Sequence, residues 1–295
     1  MNPQLSKHLE QQLSGVFQQA IKILNWQAVS GGCINQAYKL SCDSGITVFI
    51  KLNSASLLDM FRAEQQGLKI LAKTHSIIVP KPILLGSFEQ QSYLILEHLD
   101  ISSHFDEVDF ARQLGLLHSN HNSQFGFEIN NYIGSSPQSN KWHEDWFDFF
   151  IEQRLEKQHS MLSRQCPSAS IDRLWPTFIQ ACTDLFASHK PIAAILHGDL
   201  WQGNIGSVTG QSCIFDPAVY YGDHETDLAM LEVFGNPSNR FYQAYQEVMP
   251  IQPGFEQRKV FYNLYHILNH ANLFGPSYST QALAMMKQIV QWSNA

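Results

Sequence analysis

The sequence predicts an α+β chain of two lobes, a small lobe on an antiparallel sheet followed by a mostly helical one. Three observations carry this. Short runs of strand character bounded by turn residues crowd into the first hundred positions. Beyond residue 100 the apolar residues recur at helical spacing. The helical part is interrupted once, over Ile195–Asp216, by a β-rich stretch dense in polar residues. The lobes are therefore expected at 1–99 and 100–295.

Leu5, Leu9, Leu13, Phe17, Ile21 and Leu24 predict an amphipathic helix over the first 24 residues. Trp26–Ser30, Gln36–Cys42 and Ile46–Leu52 read as strands, separated by a glycine turn and by Asp43-Ser44-Gly45. A helix from Ser54 to Lys73 comes next, with Leu57, Leu58, Phe61, Leu68 and Leu71 on its apolar side. Two further strands, Ile83–Phe88 and Tyr93–Leu99, complete a five-stranded small lobe. Helices are then expected at Phe105–Ser119, Trp142–Leu162 and Ile171–Ser188, and along the tail from Thr226.

Composition narrows the function. The chain has 295 residues, 44% hydrophobic and 15% charged, with a formal net charge of −7 and no basic cluster. A nucleic-acid footprint or an anionic membrane surface is disfavoured, because the basic stripe that neutralises phosphates is missing. No run approaches the ~18–20 apolar residues of a membrane span, and the first residues lack the apolar block of a signal peptide. The five cysteines (33, 42, 166, 182, 213) are scattered and form no CxxC, so reduced thiols and a cytoplasmic location are expected. Cys182 and Cys213 lie in apolar segments and read as inert buried thiols.

Four features stand in the order that phosphoryl transfer requires. The first is Ser30-Gly31-Gly32-Cys33-Ile34-Asn35 between two strands. Paired glycines let backbone N–H groups approach phosphates, although the same pair also serves plain hairpins. The second is Lys51 ending the third strand, with Glu64 in the next helix. In a phosphate-binding lobe such a lysine meets the α/β phosphates and the glutamate holds it; alone it is a solvated charge. The third is Leu196-His197-Gly198-Asp199-Leu200-Trp201-Gln202-Gly203-Asn204. An Asp followed five residues later by Asn has the spacing of a catalytic loop, Asp199 taking the acceptor's proton and Asn204 binding magnesium. The fourth is Asp216, twelve residues on, placed as a second magnesium ligand.

The chain resembles the fructosamine kinase family. The resemblance lies in SGGCINQAY (30–38), FGFEINNYIGSSPQSN (125–140), DWFDFFIEQRL (145–155), HGDLWQGN (197–204), FDPAVYYGDHETDLAM (215–230), VFGNP (233–237) and PGFEQRKVFYNLYHILNH (253–270). Aminoglycoside phosphotransferases and choline kinases share HGD and the later Asp, but usually not the tryptophan or the NYIG…SN…DW block. The resemblance implies a two-lobed protein-kinase-like fold, with ATP and Mg2+ in its cleft and a ketosamine as the acceptor. Carried over by residue, it makes Asp199 the proton acceptor, Asn204 and Asp216 the metal ligands, and Lys51 with Glu64 the phosphate pair. Gly31, Gly32 and Cys33 form the phosphate turn, and Glu97-His98-Leu99 the hinge whose backbone meets adenine. HGD in place of HRD and DPA in place of DFG imply no activation-loop phosphosite.

Other residues are open between roles. Trp201, two residues past the catalytic Asp, either edges the acceptor pocket or packs in the core. Asp223, Glu225 and Asp227 form an acidic cluster facing the amine of a ketosamine, or, for Asp227, a brace for the catalytic loop. Cys33 is either an oxidation-sensitive thiol that switches activity or an incidental small residue. A monomer is expected, with a redox-linked dimer as the alternative. His266 and His270 have metal-ligand spacing without a third ligand and read as a structural pair; Phe261, Tyr262 and Tyr265 read as core. Competing functions are an aminoglycoside- or choline-type phosphotransferase, or a non-catalytic pseudokinase.

Overall fold

The computed structural model describes residues 2–29 and 34–293. In chain order the elements are α1 (Pro3–Phe17), β1 (Ile23–Val29), β2 (Gln36–Cys42), β3 (Thr47–Ser54), α2 (Leu58–Lys73), β4 (Pro82–Phe88) and β5 (Gln91–Glu97). There follow α3 (Glu107–His118), β6 (His121–Asn122), β7 (Asn131–Ile133), β8 (Ser136–Gln138), α4 (Trp146–Phe150), α5 (Glu156–Gln165) and α6 (Ala169–Phe186). The last are β9 (Ala193–Leu196), β10 (Ile205–Val208), β11 (Gln211–Ile214), β12 (Tyr220–Gly222), α7 (Glu225–Leu231), α8 (Asn239–Gln246), α9 (Phe255–Phe274) and α10 (Ser277–Ser293). No helix among the described residues is long and apolar enough to cross a membrane.

The first compact unit comprises residues 1–105 and 205–216. Its sheet has the order β1-β2-β3-β5-β4, every pair antiparallel. One face is covered by α1, whose Leu5, Leu9 and Leu13 are fully buried against Leu40, Val48, Ile50 and Ile95. Helix α1 is shorter than its apolar pattern suggests. It starts at Pro3 under an Asn2 cap and stops where Gln18 turns left-handed. The Ser14 hydroxyl accepts the N–H of Ile21, and the Glu10 carboxylate that of Ile23. These side-chain acceptors release the chain into β1, so Leu24 belongs to a strand.

The expected boundary at 99/100 shifts. Ser102 and Ser207 exchange backbone hydrogen bonds, and Ile214 donates to the carbonyl of Ile78. The hairpin β10–β11 is thereby zipped onto the first unit, which also keeps residues 100–105. Pairing at this distance in sequence leaves no local signal.

The second unit comprises residues 106–204 and 217–295. Its helices surround a three-stranded sheet of order β12-β9-β6 and the small hairpin β7–β8. Asp106 caps α3 by accepting the N–H groups of Val108 and Asp109. The helix expected over 142–162 begins at Trp146 under an Asp145 cap. It passes through a π-helical turn at Ile151–Leu155 and ends at Gln165. Phe261, Tyr262 and Tyr265 are completely or almost completely buried in this unit, so these three tail aromatics are core.

Candidate active site

In the first unit, Lys51 lies in the interior of β3, facing Leu94 on one side and Ala37 on the other. Its ammonium is buried, donates to Glu64 Oε1 at 2.6 Å and contacts the carboxylate of Asp216. Burial alone would lower the lysine pKa, but Asp216 and Glu64 outweigh it and push it up. Glu64 is raised by burial against the opposing pull of Lys51. Asp216 follows the hairpin β10–β11 with φ of 58°, a left-handed conformation that Asp tolerates better than most residues. Its side chain is 45% exposed, so the carboxylate is held by Lys51 yet open to a ligand.

Glu97 ends β5 opposite Val48. Its N–H donates to the Lys81 carbonyl, and its carboxylate accepts the Lys81 N–H. His98 and Leu99 follow it, half-buried. Gly31, Gly32 and Cys33, expected as the phosphate turn and a redox thiol, lie outside the described residues; the flanking strands pair antiparallel, with Val29 opposite Ala37.

In the second unit, strand β9 delivers the loop that carries Asp199. Gly198 has φ of +80°, and a Cβ there would stand 2.1 Å from the carbonyl oxygen of Ala218. Only glycine fits this turn. Past it, the Asn204 side chain donates to the Asp199 carbonyl at 2.9 Å, which ties the two ends of the loop together. That bond uses the amide N–H and leaves the amide oxygen as the atom that can meet a cation. Trp201 is half-buried. Its ring covers Gly203 and meets Phe234 edge-on at 5.7 Å, and Phe234 is itself exposed.

Asp227 braces this loop. Its carboxylate accepts the backbone N–H of His197 at 2.7 Å and of Gly198 at 2.9 Å, and the Nε2 of His118 at 3.2 Å. Burial raises the Asp227 pKa, but His118 and the loop N–H outweigh it and hold it low. Of the two roles left open for Asp227, the geometry assigns the brace.

The expectation that Asp223 and Glu225 face the amine of a substrate is corrected. Both are buried. Glu225 takes a bidentate ion pair from Arg258 at 2.7 Å on each arm. Asp223 accepts Tyr262 at 2.5 Å and His189 at 2.5 Å. His189, Asp223 and Glu225 do bring possible ligand atoms within 4.8 Å of one another, but the protein's own donors already close the cluster. Buried in a bidentate ion pair, Glu225 has no exposed oxygen to offer a substrate amine.

Sequence reasoning missed His118 as part of the brace. It is fully buried, with Nδ1 on the Tyr245 hydroxyl at 2.7 Å. Its only signal was a histidine inside an otherwise apolar helix face. His266 is buried and pushed down to about 3, first by burial and then by His270. It is a neutral core residue.

The chain has clear relatives. A family model described as fructosamine kinase matches residues 5–292. A "Probable ketoamine kinase" of Synechocystis is 43% identical over 291 residues, spanning 96% of each chain. A ketosamine-3-kinase of Mus musculus is 35% identical, covering 88% of this chain and 93% of its own. Among solved structures, a "Putative fructosamine-3-kinase" from Haemophilus somnus 129PT superposes with a TM-score of 0.85 at 31% identity, covering 95% of this chain and 96% of its own. With a family model matching residues 5–292 and a relative 43% identical across 96% of each chain, this chain belongs to the fructosamine kinase family.

Proposed function

We propose that the protein transfers the γ-phosphoryl group of ATP to the third-carbon hydroxyl of ketosamines, such as ribulosamine or fructosamine adducts on lysine. The observation that carries this is the closed Asp199–Asn204 loop, tied by the Asn204 amide and braced by Asp227, in a chain of this family. Asp199 orients the acceptor hydroxyl and takes its proton as the oxygen attacks phosphorus, and ADP leaves. Lys51, fixed by Glu64, offers its ammonium to the α/β phosphates. The Asn204 amide oxygen and the partly exposed Asp216 carboxylate are the hard oxygen donors that magnesium takes. When bound, that ion supplies neutralisation of phosphate charge. Trp201, presented beside exposed Phe234, offers an aromatic face for the apolar side of the sugar adduct. In the family, the 3-phosphate makes the adduct labile, so the sugar departs and the amine is restored.

The test is ADP release with ribulosyl-lysine, fructosyl-lysine, kanamycin and choline measured side by side. Turnover on a ketosamine is expected. Turnover on kanamycin or choline, with neither ketosamine above the ATPase background, would overturn the reading.

A further inference from the structure

The block NYIG…SN…DW distinguishes this chain's family in sequence, yet none of its residues has a role in the chemistry above. Asn131, Gln138 and Asn140 of this stretch, with Arg154 and Tyr265, form one buried chain of hydrogen bonds. Arg154, fully buried on the π-helical turn, donates Nη2 to Asn140 Oδ1 at 2.7 Å. Asn140 Nδ2 donates to Asn131 Oδ1 at 2.9 Å, and Asn131 Nδ2 to the carbonyl of Val219 at 2.7 Å. A second arm runs from the Tyr265 hydroxyl to Gln138 Oε1 at 2.6 Å. Gln138 Nε2 continues it to the same Asn131 oxygen at 2.7 Å and to the carbonyl of Ala218 at 3.4 Å.

The direction of this chain is forced. A guanidinium only donates and a backbone carbonyl only accepts. With Arg154 at one end and Val219 at the other, each amide between them has a single orientation. Arg154 has no carboxylate within ion-pair distance among the described residues. Its guanidinium instead lies 4.1 Å from the Tyr220 ring centroid and 4.7 Å from that of Phe149, and donates to the carbonyls of Ser139 and Gln153. Burying an unpaired cation is costly, so ordinary core packing does not explain its presence.

What the chain grips is the floor of the catalytic loop. Ala218 donates its N–H to the His197 carbonyl at 2.8 Å, and its carbonyl fills the space beneath Gly198. Tyr220 pairs with Leu196, the last residue before the loop. We propose that Arg154, Asn140, Asn131 and Gln138 are positioning residues that hold the Ala218–Tyr220 floor, and through it His197–Gly198, so that Asp199 stands in line with the acceptor hydroxyl. This rests on the reading of Asp199 as the proton acceptor.

Asn131→Asp tests it, because the change is nearly isosteric but replaces the donor that faces Val219 with an acceptor. Tyr265→Phe, which removes one terminal donor, accompanies it, and Asp199→Asn is run in the same assay. Each enzyme is assayed well below its own melting temperature, with kcat, the KM for ATP and Tm recorded. A displaced loop costs rate without nucleotide affinity. The expected result is a fall in kcat of roughly tenfold or more for Asn131→Asp and a smaller fall for Tyr265→Phe, with the KM for ATP within about twofold. Wild-type kcat in both folded variants, whatever their Tm, would overturn the positioning role. Should Asn131→Asp not fold, Tyr265→Phe decides alone. Asp199→Asn with undiminished turnover would instead overturn the reading of Asp199, and so separates the two failures.

Discussion

The carboxylate of Asp227 accepts the backbone N–H of His197 at 2.7 Å, which fixes the entry to the loop that carries Asp199 from a helix thirty residues further along the chain. A second bond to Gly198 makes the grip two-pronged. Charge-assisted bonds of this kind are the stronger class of hydrogen bond, and both partners are buried.

Asp227→Asn keeps the volume but turns one acceptor into a donor, leaving at least one of its buried partners unmatched. The expected cost is about 1.5–3 kcal/mol of stability and a fall in kcat of at least roughly tenfold. Thermal melts and steady-state kinetics together check this. Unchanged kinetics would mean that the loop holds its shape without the brace.

Gly198→Ala is expected to be more severe, because the new methyl group would meet the Ala218 carbonyl in a left-handed turn. Backbone must shift on one side or the other. Loss of turnover with retained helix content by circular dichroism is the expected outcome, and a fully active variant would contradict the close approach.

Asp199→Asn and Asp216→Asn should separate two roles. In the proposed mechanism Asp199 acts on the acceptor, so its loss should cut turnover by roughly 10²–10⁴-fold while nucleotide binding stays nearly intact. Asp216 sits against Lys51 and is a metal ligand in the proposed mechanism, so its loss should also weaken binding of the magnesium nucleotide. Calorimetric titration with a non-hydrolysable ATP analogue measures both; equal losses of affinity would refute the division.

Stability should fall with acid well before carboxylates titrate. Burial pushes His224 down to about 4 and His266 down to about 3, whereas unfolded histidines titrate near 6.5. Between those values the unfolded chain binds more protons, so their contribution is complete above about pH 6.5 and is lost as the pH falls. Asp223 adds a later loss. Burial raises it, but His189, His224 and Tyr262 together hold it below the usual carboxylate range, so its contribution disappears only as the pH drops through that depressed value. Melting temperatures measured from pH 7.5 to 4.5 should decline from about 6.5 downward, with a shallower slope in His266→Phe. A flat profile to pH 5 would mean that neither histidine is held neutral.

The sequence by itself determined the parts that are local. Strand-like runs bounded by turn residues located the five strands, and apolar residues at helical spacing located the helices, because a helix that buries one face repeats its apolar residues accordingly. The Asp199–Asn204 word was legible because its ends bond to each other across five residues. So was the pairing of Lys51 with Glu64, which adjacent elements bring together.

Tertiary structure alone decided what the charged and amide side chains do once the chain has closed. Asp223, Glu225 and Asp227 are alike in the sequence. Only packing gives Glu225 to Arg258, Asp223 to His189 and Tyr262, and Asp227 to the loop. Asn131 and Gln138 likewise show no role until Val219 and Ala218 arrive from some eighty residues away. The physical reason is common to these cases: a buried polar group must find a partner, and the fold, not the neighbouring sequence, determines which one is within reach.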